Sequence, residues 1–84
     1  MAGLFKKIKN RTTGRRYVIS TIHKSPEIFE TAVFTANLLY WPRSLKHPDL
    51  VIHTETFEAA CQIHERLAQR LASELPARLF QEYD

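Results

Sequence analysis

The 84 residues suffice for one domain, and a hydrophobic content of 44% with 25% charged residues is typical of a folded protein. The single cysteine, Cys61, excludes an internal disulfide, and no apolar run approaches the roughly 18 residues that a transmembrane helix needs. No apolar stretch with a cleavage site follows the basic N-terminus, so the sequence predicts a cytoplasmic protein with no membrane partner.

Charge is distributed unevenly along the chain. The first 24 residues carry seven lysines and arginines and no carboxylate, whereas the remainder carries five basic residues and all nine acidic ones. Clustered bases set up a local field that a mixed surface would cancel. The distribution therefore indicates an anionic partner and carries no information about catalysis.

The basic leader has the pattern of a β-hairpin over residues 4–23. Two β-favouring runs, residues 4–10 and 15–23, flank a turn in which Gly14 can adopt a positive φ. Six basic side chains fall within eleven residues of these strands and their turn: Lys6, Lys7, Lys9, Arg11, Arg15 and Arg16.

Two further strands and a helix follow. Alternating β-branched and aromatic side chains predict a strand over residues 28–38, and residues 50–53 form a short fourth strand. A helix over residues 55–73 begins near Thr54 or Thr56, either of which can cap it. Its apolar residues recur at three- and four-residue spacing: Phe57, Ala60, Cys61, His64, Leu67, Ala68, Leu71 and Leu75. Residues 76–84, which begin with Pro76, fit either a short helix or an edge strand.

This order predicts a single α+β domain over residues 1–84, an antiparallel sheet of three to four strands with one long C-terminal helix packed on one face. The second and third strands carry apolar residues on both sides, which indicates that the second face is also covered. The candidate covers are the C-terminal tail, with Leu79, Phe80 and Tyr83, and another copy of the chain. The second alternative predicts a homodimer through the sheet face or an edge strand.

Cys61 and His64 share a helix face, where they resemble a metal-ligand pair or a nucleophile with its base. His47 and His53 could add ligands. Both residues of the pair fall on the apolar stripe, however, where a free thiol behaves as a small hydrophobe. No second ligand pair and no convergent acid, base and nucleophile set can be assembled from the sequence. We therefore predict no enzymatic activity, no bound metal and no cofactor.

The basic hairpin is the strongest candidate for a binding site. Lysine and arginine at this density neutralise phosphates and release counterions, which gives salt-sensitive affinity for nucleic acid. Phe5 and Tyr17 lie beside them and could stack on unpaired bases. An acidic protein surface is the alternative partner. Edge-strand lysines also discourage pairing between sheets, which explains the lysines of the first strand better than Arg15 and Arg16.

The loop after the third strand offers Tyr40, Trp41 and Arg43 as a candidate protein contact. These residue types dominate binding hot spots, and Pro42 would present them at low entropic cost. The alternative is that Trp41 closes one end of the core. We favour this second interpretation, because a small domain with one tryptophan often uses it in this way.

The strand Phe29-Glu30-Thr31-Ala32-Val33-Phe34, followed by Thr54–Ala60 and then His64, resembles a pattern of small phage-type proteins. In that pattern a strand of this form precedes a helix that opens Thr-x-x-x-x-Ala and carries a histidine about two turns later. The resemblance covers residues 29–67 and leaves out the basic hairpin. It implies only a viral or prophage origin, since these proteins have no activity that can be transferred to this chain. Small phage proteins often bind a host enzyme or nucleic-acid complex, so the resemblance favours a protein partner.

Overall fold

The chain folds as four consecutive antiparallel strands followed by two helices. A computed structural model describes residues 3–83, and its sheet has the strand order β1-β2-β3-β4. This architecture confirms the predicted α+β class. The elements are β1 (Leu4–Lys9), β2 (Arg16–Ser25), β3 (Ile28–Ala36), β4 (Leu50–Thr54), α1 (Phe57–Ser73) and α2 (Pro76–Glu82).

Several boundaries differ from those predicted by the sequence. β2 continues to Ser25, and only Pro26 and Glu27 separate it from β3. β3 ends at Ala36 instead of residue 38. α1 begins at Phe57, not at residue 55, because Thr56 is its N-cap and accepts a hydrogen bond from the amide of Ala59 at 3.1 Å. Asp84, the last residue of the predicted tail, lies outside the described residues.

The core lies between one face of the sheet and α1. Helix α1 buries five residues of its predicted stripe: Ala60, His64, Leu67, Ala68 and Leu71. The ends of that stripe were predicted wrongly, since Phe57 is 51% exposed and Leu75 is 46% exposed. Cys61, at the edge of the buried face, is half-buried. The strands contribute the opposite wall of the core: Ile8, Tyr17, Ile19, Val33 and Leu50.

The tail forms the short helix α2, and it packs on the same side of the sheet as α1. Leu79 is 1% exposed and belongs to the core, and the Phe80 ring meets the Tyr17 ring edge-on with 6.0 Å between centroids. The alternative in which the tail covers the second sheet face is therefore wrong. Leu75 has an extended conformation before Pro76, as the proline requires, so α2 starts in a new direction.

Because side chains alternate along a strand, the sheet turns its other face away from the core. In the described part of the chain neither helix lies on this surface, which we call the open face. It consists of Phe5, Lys7 and Lys9 of β1, the even-numbered residues 16–22 of β2 and 30–36 of β3, and Val51 and His53 of β4.

Candidate functional site

The pairing of the strands arranges the open face in rows that run across the sheet. Lys9 lies opposite Arg16, and Lys7 lies opposite Val18 in the next row. Two residues along a strand span about 7 Å, so Lys7 and Lys9 are neighbours on this face. The register therefore brings three of the six predicted basic residues together at one end of the open face.

The other three basic residues lie elsewhere. Lys6 points towards α1, where its Nζ forms an ion pair with Glu65 at 3.7 Å. Arg11 and Arg15 lie in the connection between β1 and β2, and the side chain of Arg15 is hydrogen-bonded to Tyr17, whose side chain faces the core. The predicted six-residue patch is thus divided by the alternation of β1, and Lys6 is on the wrong side of the sheet to act with Lys7.

Tyr40 brings two of the clustered cations together. Its ring centroid lies 5.9 Å from Lys7 Nζ and 5.6 Å from Arg16 Cζ, which is the geometry of cation–π contacts. Tyr40 reaches this position with a positive φ of 61°. Asn37 holds the turn, since its Oδ1 accepts hydrogen bonds from the amides of Leu39 at 2.9 Å and Trp41 at 3.1 Å. The Tyr40 ring therefore covers part of the basic end of the open face, where Val18, the partner of Lys7 on β2, is fully buried.

The cations at this end are not neutralised by nearby carboxylates. Among residues 3–83, no ion pair involves Lys7, Lys9 or Arg16, nor Arg11 or Arg15 of the turn. Lys7, Lys9 and Arg16 constitute what we call the basic end, and Arg11 lies in the adjoining turn. The field of the basic end is therefore directed outwards, towards any anion that approaches.

The opposite end of the open face is electrically balanced. Glu30 is the one acidic residue among the described strand residues of this face. It accepts a hydrogen bond from Lys24 at 2.9 Å and lies 3.0 Å from His53 Nε2. The hydrogen bond from Lys24 lowers the pKa of Glu30 against a smaller opposing effect of burial. The open face thus has one positively charged end and one end at which the acidic and basic side chains are paired.

Between these ends the open face is apolar. Phe5, Ser20, Ala32 and Val51 form one row across all four strands. Phe5 is 59% exposed and Val51 39% exposed, whereas the small side chains of Ser20 and Ala32 form a low floor between them. The expected stacking partner Phe5 is available, but Tyr17 is not. Its side chain is 2% exposed because odd-numbered residues of β2 face the core, so the interpretation of Tyr17 as a stacking residue was wrong.

The loop residues proposed as a protein contact are at the surface. Trp41 is 66% exposed, Arg43 is exposed and Tyr40 is half-buried. The prediction that Trp41 closes the core was wrong, because the Asn37 turn directs it outwards. Sequence reasoning also missed its exposed neighbours, which are Leu38 at 76%, Leu39 at 73% and Leu45 at 75%. Their apolar type within a polar, proline-containing loop was the available signal.

Cys61 and His64 do not form a reactive pair in the structure. His64 is 3% exposed, and its Nδ1 shares a hydrogen bond with Thr21 Oγ1 at 2.9 Å. Thr21 Oγ1 in turn lies 2.7 Å from Thr31 Oγ1. Burial lowers the pKa of His64, so the ring is held neutral within the core. Across residues 3–83 no group of three histidine, cysteine or acidic side chains is placed to hold a metal ion.

Asn10 positions the turn of the basic hairpin, and sequence reasoning missed it. The residue is fully buried, and its Oδ1 accepts hydrogen bonds from the amides of Thr12 at 3.0 Å and Thr13 at 2.8 Å. Its Nδ2 donates to two carbonyls at the end of α1, those of Leu71 at 2.6 Å and Glu74 at 2.7 Å. An asparagine at the start of a turn is a known signal for side-chain bonding to the backbone two or three residues later.

Comparisons with known proteins identify no relative of this chain. No family model matches the sequence, and neither a curated protein nor a solved structure is significantly similar to it. The resemblance of residues 29–67 to small phage-type proteins therefore stays a prediction. Within residues 3–83, neither helix is long and apolar enough to cross a bilayer.

Proposed function

We propose that this protein is a non-catalytic binding module that contacts an anionic partner, in the first place nucleic acid, through the basic end. The observation that carries the proposal is the convergence of Lys7, Lys9 and Arg16 on one face without a carboxylate partner among the described residues. Arg11 lies in the adjoining turn and adds a further cation near this end.

Phosphate binding by such a surface has a defined salt dependence. The logarithm of the association constant falls with the logarithm of salt concentration by about 0.7 for each phosphate neutralised on a single strand. Three to four contacts predict a slope of about −2 to −3, which lowers affinity roughly 20- to 50-fold between about 50 and 200 mM salt. Binding of this kind depends little on base sequence.

The test compares two double variants that remove the same charge. Lys7→Gln with Arg16→Gln removes two cations of the basic end, and Lys6→Gln with Lys24→Gln removes two cations that already have carboxylate partners. Fluorescence anisotropy with a labelled oligonucleotide measures the association constant of each double variant over a series of salt concentrations. We expect the first variant to reduce the salt slope by about 1.4, at about 0.7 per lost contact, and the control to keep the wild-type slope.

Two results would contradict the proposal. Absence of binding by the wild-type protein at low salt rules out nucleic acid as the partner. Equal losses in the two double variants mean that net charge governs binding and that the basic end is not a site.

A second candidate function is binding of a host protein through the loop that carries Tyr40, Trp41 and Arg43. The exposure of Trp41 together with Leu38 and Leu39 of the same loop supports it, because exposed apolar patches often mark protein interfaces. The phage-type resemblance also favours a protein partner. A pull-down from host lysate tests it: one protein should be recovered in stoichiometric amount by the wild type and lost with Trp41→Ser. The Lys7→Gln with Arg16→Gln variant should still recover it.

The homodimer also stays a prediction. The open face exposes Ile22 by 41% in addition to Phe5 and Val51, and a second copy could bury these side chains. Sedimentation equilibrium at micromolar concentration measures the mass of the protein in solution and so tests for the dimer directly. A mass of one chain, 9.8 kDa, would contradict the prediction, since the face is then open in the isolated protein.

A further inference from the structure

We infer that the open face takes single-stranded rather than duplex nucleic acid, with phosphates at the basic end and unpaired bases on the apolar row that starts at Phe5. This inference rests on the proposed function and specifies its partner. Its basis is the continuity of the two surfaces, because cations and apolar side chains lie on the same strands with no acidic residue between them.

Strand β1 shows this continuity most directly. Phe5, Lys7 and Lys9 follow one another on the open face at intervals of about 7 Å. An exposed aromatic ring is thus followed by two cations that no described carboxylate pairs. A nucleotide has the matching arrangement, a flat apolar base joined through a sugar to an anionic phosphate. Aromatic rings stack on unpaired bases irrespective of sequence, since every base has a π face.

The row across the sheet provides room for bases beyond Phe5. Four strands span about 14 Å from Phe5 to Val51. The floor between them is low, because Ser20 and Ala32 are small. Phe34 lies half-buried beside this floor, in the row that begins with Lys7. The surface is therefore broad, shallow and partly aromatic, which suits flat rings laid against it.

A duplex could contact the basic end of this surface but not its apolar row. Its bases are stacked inside the helix, so it offers phosphates to the basic end and nothing to Phe5 or Val51. A second copy of the chain could bury the apolar row, but it would not provide an anionic partner for the basic end. A face-to-face pair about an axis along the strands would place the two basic ends at the same end of the contact, which costs free energy. A pair about an axis across the strands would place each basic end over the end that carries Glu30, which Lys24 and His53 already contact.

The experiment measures binding of a labelled single strand of about 12 nucleotides and of the duplex formed with its complement, within the usual size range of such sites. The variants are Phe5→Ala and, as a matched control, Phe57→Ala. Both phenylalanines are largely exposed, at 59% and 51%, but Phe57 lies in the first turn of α1 and away from the open face. Phe5→Leu keeps an apolar side chain without a π face, so it tests stacking even if Phe5→Ala does not fold. Melting temperatures verify folding.

We expect the wild-type protein to prefer the single strand by about tenfold or more, and Phe5→Ala to weaken single-strand binding by about tenfold, as for loss of one stacked base. Phe57→Ala should bind as the wild type does, and Phe5→Leu should show a loss in the same direction as Phe5→Ala. Equal wild-type affinity for single strand and duplex, unaltered in Phe5→Ala, overturns this inference and leaves the proposed function intact.

Two further outcomes also overturn it. If Phe5→Ala turns a dimer into a monomer without changing single-strand binding, the open face belongs to a second copy. If the wild-type protein binds neither nucleic acid at low salt, the proposed function fails and this inference fails with it.

Discussion

The side-chain amide of Asn10 donates a hydrogen bond of 2.6 Å to the carbonyl oxygen of Leu71, a residue 61 positions later in the chain. The same amide donates to Glu74, and the backbone amide of Arg11 donates to the carbonyl of Ala72 at 2.9 Å. The last carbonyls of a helix have no partners within it, so these bonds satisfy the end of α1. The turn of the basic hairpin is thereby fixed to the C-terminal end of the helix.

Replacement of Asn10 should destabilise the protein severely. Asn10→Ala leaves buried helix carbonyls and turn amides without partners, and we expect a loss of about 2–4 kcal/mol in the free energy of unfolding. Asn10→Asp should also destabilise, because a carboxylate cannot donate to the carbonyls of Leu71 and Glu74. Urea denaturation measures both variants. Thr12→Ala removes one exposed hydrogen bond to Ser73 and is the control, with an expected loss of at most about 1 kcal/mol.

The stability of the protein should decrease as pH falls below about 6.5, the ordinary pKa of histidine. Burial lowers the pKa of His64 in the folded state, with Glu65 opposing and Lys6 adding to the effect. The unfolded state therefore binds the proton more readily. The contribution of His64 is complete above the unfolded pKa and is lost as pH falls towards the folded value.

The control for this pH dependence is His64→Gln, which keeps a hydrogen-bonding side chain near Thr21 but does not titrate. Melting temperatures of both proteins between about pH 7 and pH 5 provide the measurement, a range that includes the ordinary histidine pKa. The wild-type temperature should decrease more steeply. Parallel curves would show that His64 is not the group responsible.

Thr54→Val should leave stability unchanged or increase it by up to about 1 kcal/mol. The hydroxyl of Thr54 is buried and has no hydrogen-bond partner among the described residues. Valine has nearly the same shape, so it removes an unsatisfied polar group without opening a cavity. Thr31→Val is the comparison, because it breaks the hydrogen bond to Thr21 and should destabilise. Thermal unfolding of the two variants distinguishes these cases, and a destabilised Thr54→Val would contradict the prediction.

Trp41→Ser should change the free energy of unfolding by no more than about 0.5 kcal/mol, as is usual for a surface substitution. Truncation of a tryptophan that closed the core would cost about 3–5 kcal/mol. Chemical denaturation thus distinguishes an exposed Trp41 from a Trp41 that closes the core, which is the position that the sequence favoured. A large loss would show that Trp41 packs against the domain in solution.

The fold class could be predicted because the spacing of apolar residues indicates which side of a helix or strand is buried. Leu67, Ala68 and Leu71 recur on one helix face, and β3 alternates strongly enough to identify a strand. The open face was also foreseen in part, since apolar residues on both sides of β2 indicated a second surface. The tail was the wrong candidate for its cover, because the direction of α2 depends on how Leu79 packs and not on any local pattern, and the homodimer stays a prediction.

The division of the basic patch could not be predicted, because β1 has an ambiguous pattern. Leu4, Phe5 and Ile8 are all apolar, so the strand gives no clear sign of which parity faces the core. Pairing with β2 decides which face of β1 is turned towards the core, since Ile8 lies opposite Tyr17 in the core. Lys6 and Lys7 are adjacent in sequence and act on opposite surfaces for this reason alone.

Asn10 joins the first part of the sequence to the last, and this connection has a consequence for biosynthesis. During translation the basic residues emerge from the ribosome before the carbonyls that hold their turn, which belong to residues 71–74. A contact between residues so distant in sequence has a large loop-closure cost, which slows its formation. The turn of the basic hairpin therefore gains its hydrogen bonds to α1 only after the end of that helix has been synthesised.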